Sequence, residues 1–327
     1  MHEVKRIATL GAGGLGRNMA RMLDHKQSML LVAICDTEGF VIRPTGIRGE
    51  EFDMLPPGHT VAALKDGTDS KDPIGEILKR HEEIDGIFLA LPNLPNEFIP
   101  ETIDRIAKSG FKGVVVDALK RTTAVEMVLQ RREMLAAAGI TYVTGAGATP
   151  GLLTAAAALA AQSFTKVDEV KVWFGVGISN WDAYRATIRE DIAHLDGFNV
   201  EKVAAMSDTE IEAELDKRNG LLELVNMEHA DDVMLEIAGV LPRAKVSVGG
   251  LVDTRNPRKP VSTHVKVTGT TFEGKQSTHT FTLGDETSMA ANVNGPALGY
   301  MNTAFWLNAQ GISGVFTSAD LMPRFPR

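Results

Sequence analysis

The chain predicts an α/β protein. A doubly wound Rossmann domain with a parallel sheet comes first, and an α+β domain on an open, mostly antiparallel sheet follows. Three observations carry this. A short apolar strand runs straight into Gly11-Ala12-Gly13-Gly14-Leu15-Gly16 and then into a helical stretch. Apolar, β-branched runs at 29–35, 86–91, 114–116 and 140–143 alternate with helical patterns as far as residue 150. Beyond 151 the texture changes to alternating Val, Thr and aromatic residues. At 327 residues the chain exceeds one simple core. The expected division is 1–150 for a dinucleotide-binding domain and 151–286 for a substrate and assembly domain, with 287–327 completing the first.

The elements read in order as follows. Residues 7–10 form the first strand, 18–23 a helix, and 29–35 a second strand ending in Asp36. Residues 53–75 hold Pro56-Pro57-Gly58, Asp66-Gly67 and Asp72-Pro73, a turn-rich insertion around an expected short strand at 60–64. A short helix at 74–81 precedes the strand 86–91, which Pro92 and Asn93 stop. A helix at 100–110 leads to the 114–116 strand. Thr123, with Glu126 three residues on, is a capping-box signature for a helix running to Gly139. Residues 140–143 are a further strand. In the second half, 152–163 reads as an alanine-rich helix, 166–178 as a strand and 207–217 as a charged, solvated helix. Strands follow at 244–252 and 261–283, the latter turning at Glu273-Gly274, and 287–310 is a closing helix.

The glycine pattern carries the cofactor expectation. Strand, G-x-G-x-x-G, helix, strand and acid occur together at the spacing of a dinucleotide-binding unit. Gly11 permits the tight turn, Gly13 lets backbone approach a pyrophosphate, and Gly16 packs helix against strand. Gly14 and Leu15 complete the loop, and the helix start offers N–H groups to phosphate. Asp36 is placed to accept from ribose hydroxyls, which favours NAD(H). Arg43 and Arg48 lie in the next loop, so NADP(H) stays open. Leu91, Pro92 and Asn93 lie where the nicotinamide side of a dinucleotide passes.

Lys120 is the candidate nucleophile. It lies in the loop between the 114–116 strand and the next helix, and in an open parallel sheet such loops build the ligand crevice. A lysine there attacks carbonyls if its neighbours favour the free amine, and Arg121 is adjacent. Most loop lysines are simply solvated, so position alone does not decide the matter. Gly145 to Gly151 is a second glycine-rich loop before a helix. It suits either an anion such as a substrate carboxylate, through Thr149 and Gly151, or an interdomain hinge. Arg185, Arg189, Arg243 and Arg255 are carboxylate candidates. His229, flanked by Glu228 and Asp231, is the preferred acid–base group over His194.

Composition excludes several classes. Net charge is −8 with charges interspersed, so nucleic acid is not expected. The single cysteine, Cys35, allows no internal disulfide, which fits a cytoplasmic protein. The longest greasy stretch, 152–161, is too short to span a bilayer. The few histidines show no metal-ligand spacing.

The glycine fingerprint with Asp36, and Thr149-Pro150-Gly151 opening the second domain, resemble the saccharopine dehydrogenase-like and dihydrodipicolinate reductase-like oxidoreductases. Within that group Val116-Asp117-Ala118-Leu119-Lys120-Arg121-Thr122-Thr123 is similar to the 8-amino-7-oxononanoate carboxylating dehydrogenase family, the single-turnover enzymes of biotin biosynthesis. The resemblance implies that Lys120 donates its nitrogen to 8-amino-7-oxononanoate and ends as allysine. It also implies that CO2 is captured as a carbamate and that NAD(P)H serves as the redox partner. Strand-rich second domains of related reductases pair through open sheet faces, so 261–283 implies a homo-oligomer, a dimer in the simplest case. Two other classes share the motifs. One is a multiple-turnover imine or amino-acid reductase with Lys120 as general acid. The other is a non-catalytic NAD(H) sensor, for which no helix-turn-helix or partner segment is found.

Overall fold

Parallel pairing of short, mostly buried strands defines the first sheet. The computed structural model describes residues 4–56, 58–92, 95–178, 188–225, 227–284 and 288–327. Residues Met1–Ala155 and Ser288–Arg327 form one compact unit and Ala156–Thr287 another. The first unit holds β1 (Lys5–Leu10), β2 (Met29–Cys35), β3 (Gly39–Ile42), β4 (Gly67–Asp69), β5 (Gly86–Leu89), β6 (Val114–Asp117), β7 (Thr141–Thr144) and a last strand, Gly314–Thr317. The sheet order is Gly314–Thr317, β7, β6, β5, β1, β2, β3, β4. The pairings from Gly314–Thr317 through β2 are parallel, and those of β2 with β3 and β3 with β4 are antiparallel. The parallel-rich doubly wound sheet is the fold class the sequence predicts. Strands β5, β6 and β7 are buried at every residue, as strands covered on both faces must be.

Helices α1 (Gly14–Leu23), α2 (Pro73–Leu78), α3 (Phe98–Lys108), α4 (Thr122–Leu129) and α5 (Arg132–Ala137) lie in this unit. The long helix Met289–Ala309 also belongs here, and its Leu298, Tyr300, Met301 and Ala304 are fully buried in the core with Ile7, Phe88, Val114 and Val116. Asn308, near its end, donates to the carbonyl of Gly139 and to Thr141 Oγ1, each at 3.0 Å, tying the helix to the start of β7.

Three expectations are corrected. The strand expected at 60–64 is a 3-10 turn, Val61–Ala63, and the insertion's strand is β4 instead, paired with β3 before it. Val61 is fully buried, so the apolar run reflects burial and not strand geometry. Thr123 is not a helix cap, because α4 starts one residue earlier with Arg121 as its N-cap and no side-chain cap bond. The single helix expected up to Gly139 is two. At the break, Arg131 bonds the Met127 carbonyl at 2.7 Å and grips Asp104.

The second unit carries β8 (Lys166–Gly177), β9 (Leu221–Leu224), β10 (Val246–Asp253), β11 (His264–Thr270) and β12 (Gln276–Thr282), in the order β12, β11, β8, β10, β9. Only the β8–β10 pairing is parallel. Helices Ile188–Ala193 and Asp208–Lys217 bury Ile188, Ile192, Ile211 and Leu215 in a core with Leu222, Leu224 and Val252. The 208–217 helix presents the charged, solvated face expected of it and buries Ile211, Glu214 and Leu215 on the other side. Ser207 caps it, with Glu210 completing the capping box. No described helix is long and apolar enough to cross a membrane.

Candidate active site

β1 delivers the chain into a loop whose three signature glycines meet three different surroundings. Gly11 has φ +105°, and a Cβ there would sit 2.3 Å from the Ala90 carbonyl oxygen. A Cβ on Gly16 would fall 1.8 Å from the Gly11 oxygen. Both positions are glycine because the fold needs it. At Gly13 and Gly14 a Cβ would meet nothing within 4 Å, and Gly13 has φ −71°. The protein itself gives no reason for glycine at these two positions. A ligand phosphate lying against the backbone does. No side chain caps α1. Among the described residues, the backbone N–H groups of Gly14, Leu15 and Gly16 make no hydrogen bond. An open cradle, unused helix-start amides and the positive end of α1 fit a dinucleotide pyrophosphate. Side chains lean toward a helix's N-terminus. Arg17, in the first turn, accordingly reaches back and donates from Nε to the Ala12 carbonyl at 2.9 Å.

Asp36 follows β2 and is half-buried. Its Oδ1 accepts from the backbone N–H of Glu38 at 3.0 Å and Gly39 at 2.9 Å, and its Oδ2 from Val61 N–H at 2.7 Å. It thus holds the β2–β3 turn and the 61–63 turn in place. Arg43 is engaged by Glu51 at 2.7 Å and Asp66 at 3.2 Å, and Arg48 pairs with Asp24 at 3.4 Å.

Lys120 sits half-buried in the short loop between β6 and α4. β6 lies two strands from β1 in the sheet, so this loop and the glycine loop open on the same carboxyl edge. Arg121 donates from Nε to Asn96 Oδ1 at 2.8 Å, tying the Lys120 loop to the segment leaving β5. In that segment Leu91 is half-buried and Pro92 exposed, while Asn93 lies outside the described residues.

The loop's other anchor is Asp117, the last residue of β6 and fully buried. Its Oδ1 accepts from Leu119 N–H at 2.9 Å, Gly145 N–H at 2.7 Å and Thr144 Oγ1 at 3.1 Å. Its Oδ2 accepts from the Tyr142 hydroxyl at 2.5 Å. Burial holds the Asp117 carboxyl above its ordinary value, and the four donors offset only part of that rise. Burial and the adjacent carboxylate push the Tyr142 phenol well above its ordinary value. The sequence reading missed this network because three of the four donors sit some two dozen residues downstream. A lone acid ending an apolar strand was the one available signal.

The second glycine loop is built differently. Gly145 N–H goes to Asp117, as does Ala146 N–H to its carbonyl. Gly151 N–H goes to Thr154 Oγ1 at 2.8 Å, and Leu152 and Leu153 N–H go to the carbonyls of Gly147 and Ala148 at 2.9 Å. A Cβ on Gly151 would fall 1.8 Å from the Gly147 oxygen. The loop uses its own helix-start amides, and the Gly151 N–H is taken by Thr154 Oγ1. Thr149 is half-buried beside it.

In the second unit, buried His229 binds Asp231 through Nδ1 at 2.6 Å, with Asp231 fully buried. Such a carboxylate fixes an imidazole's orientation. Arg189 is engaged by Asp208 and two carbonyls, Arg243 by Glu236 and Arg255 by Asp216. Arg185 lies outside the described residues.

No protein-family profile matches the chain. The chain is 46% identical to (S)-8-amino-7-oxononanoate synthase BioU of Haloferax mediterranei, across 99% of this chain and 100% of that protein. Its fold is similar to that of C. glutamicum DAP dehydrogenase, with a TM-score of 0.60 at 17% identity over 98% of this chain and 95% of that one. It is also similar to saccharopine dehydrogenase (L-Glu forming) of Saccharomyces cerevisiae, with a TM-score of 0.59 at 12% identity over 97% and 94%. At such identities the structural likeness carries the two-domain fold alone.

Proposed function

The chain belongs to the BioU family, and on that premise we propose that it is an NAD(P)-dependent oxidoreductase of biotin biosynthesis in which Lys120 gives its side-chain nitrogen to 8-amino-7-oxononanoate. The observation that carries this is the pairing of two features on one sheet edge. One is a glycine loop with an open cradle, and the other is a half-buried lysine two strands away in a loop anchored at both ends. Gly13, Gly14, Leu15 and Gly16 hold the pyrophosphate, Asp36 the adenosine ribose, and Leu91 and Pro92 flank the nicotinamide side.

The unprotonated Lys120 amine attacks the C7 ketone and water leaves, giving a Schiff base between protein and substrate. When bound, the dinucleotide supplies the hydride that reduces this imine and later accepts one from the lysine side. Between those events the new amine takes up CO2 as a carbamate. Hydrolysis then cleaves the bond to the lysine side chain. The nitrogen leaves with 8-amino-7-(carboxyamino)nonanoate, and Lys120 remains as an aldehyde, allysine. His229, oriented by Asp231, is the acid–base candidate for the proton transfers. The relative's name makes 8-amino-7-oxononanoate the product of a synthase. Both accounts place that compound at the site and differ in direction.

The test is stoichiometry. Incubation with 8-amino-7-oxononanoate, bicarbonate and NADH gives product that plateaus at about one equivalent per chain, because the amine donor is consumed. Lys120→Arg gives none, since a guanidinium stays protonated. Product far beyond one equivalent, with the Lys120 peptide unchanged in mass, overturns the reading in favour of a multiple-turnover imine reductase. Net formation of 8-amino-7-oxononanoate from added product would reverse the direction.

A further inference from the structure

Asp117 is fully buried, and no cation pairs with it among the described residues. Both backbone amides that bind it fall on Oδ1, and an amide N–H can only donate, so that oxygen stays unprotonated. The Tyr142 contact at 2.5 Å has the length of a hydroxyl bound to a charged carboxylate. A buried carboxylate without a counter-ion is expensive, and folds keep one where it has work to do. This one ends the strand that leads into the Lys120 loop, and one of its bonds, from Leu119, lies inside that loop. Three residues of chain put the two Cα atoms within about 11 Å. A fixed charge buried at the root of a loop acts on the protonation of a group that the loop carries.

We propose that Asp117 is a positioning residue for Lys120 that also supplies a fixed negative charge, holding the imine formed there in its cationic, hydride-accepting form. The proposal rests on the Schiff-base reading above. Amine attack and loss of water leave a positively charged iminium carbon–nitrogen bond. Deprotonation would return a neutral imine, a far weaker hydride acceptor. A nearby anion favours the positively charged states of the Lys120 nitrogen and extends them to higher pH. The groups facing Asp117 are consistent with that assignment. β7 brings Tyr142, a donor. β5 brings no titratable group, and the Met289–Ala309 helix brings only Tyr300, whose hydroxyl is bound to the Ser318 carbonyl at 2.9 Å. The loop brings Lys120 and Arg121. Arg131 lies farther off and acts on Tyr142.

The test traps the iminium chemically, without any nucleotide. The protein is incubated with 8-amino-7-oxononanoate and cyanoborohydride across a pH series, and the adduct on the Lys120 peptide is read by mass. Asp117→Asn keeps the shape, since Tyr142 can turn its hydroxyl to accept from the new amide. In that variant the whole pH profile of trapping moves to lower pH by about one unit, with NADH affinity within about twofold of the parent. Loss of a merely structural bond lowers the amplitude and leaves the profile where it was, and that result overturns the proposal. Tyr142→Phe is the second probe, should Asp117→Asn fold poorly. Removing a donor from Oδ2 raises the Asp117 carboxyl further, so its charge is lost sooner on acidification and the acid limb of trapping moves to lower pH, the direction Asp117→Asn takes. An unmoved limb there also overturns the proposal. Absence of any Lys120 adduct in the parent would instead remove the Schiff-base reading itself.

Discussion

Two loops of nearly the same composition, Gly11–Gly16 and Gly145–Gly151, leave one sheet at its carboxyl edge and enter helices, yet their glycines face opposite surroundings. In the first, Gly13 and Gly14 look into open space and the helix-start amides are unused. In the second, a Cβ on Gly147 would touch Pro150, Ala118 and Val293 at 3.3–3.4 Å, and the helix-start amides close on the loop itself. Gly13 and Gly14 in the first loop leave room for something absent from the chain, while Gly11 and Gly16 pack on it. Glycine in the second lets the chain pack on itself, against Ala118 of the Lys120 loop. On the proposed function the first loop is a receptor and the second a buttress. Composition does not tell them apart, and the space beside each Cα does.

The largest expected difference comes from adding side chains to each. Gly13→Val meets no protein atom, so the variant folds with a melting temperature near the parent's. NADH affinity falls at least about 100-fold as the cradle fills. Gly147→Ala behaves in the reverse way, keeping NADH affinity within about twofold while slowing Lys120 adduct formation through Ala118. Titration and peptide mass on the same two variants read both effects. Equal loss of NADH binding in the two would erase the distinction.

A smaller effect isolates the buttress. Thr154→Val removes the acceptor for Gly151 N–H in a fully buried setting. The expected loss is about 1–3 kcal/mol in denaturant unfolding, the cost of an orphaned buried amide. No change is expected in NADH affinity, whereas a changed affinity would mean that this loop also touches the nucleotide.

The smallest concerns Asp36. Asp36→Ala lowers the preference for NADH over NADPH by removing the charge that disfavours a 2′-phosphate. It also releases the amides of Glu38, Gly39 and Val61, so the melting temperature drops as well. A preference ratio equal to the parent's would assign the ribose to another residue.

The receptor loop was legible in the sequence because its signal is local: strand, glycines, helix and acid lie within a single stretch from residue 7 to residue 36. Lys120 was legible for the same reason, as a strand end followed by a helix. The buttress was not, because its meaning lies in contacts with distant residues: Asp117 with Gly145, Gly147 with Val293, and Tyr300 with Gly151 at 3.4 Å. The same limit explains the strand expected at 60–64. Val61 is apolar because the turn is buried, and only the neighbouring strands β3 and β4 show it to be a turn. Thr123 and Glu126 match a capping box in letters, but α4 begins at Thr122 and the pattern falls inside the helix.

The account's central claim is that Lys120 is a reactant, and the fate of its side chain tests this most directly. After complete reaction with 8-amino-7-oxononanoate, bicarbonate and NADH, followed by NAD+, the protein is treated with a hydrazide reagent and digested. The account predicts label on the peptide containing Lys120, in proportion to product formed and absent from Lys120→Arg. Product formation with an unlabelled peptide and an intact Lys120 amine would contradict it.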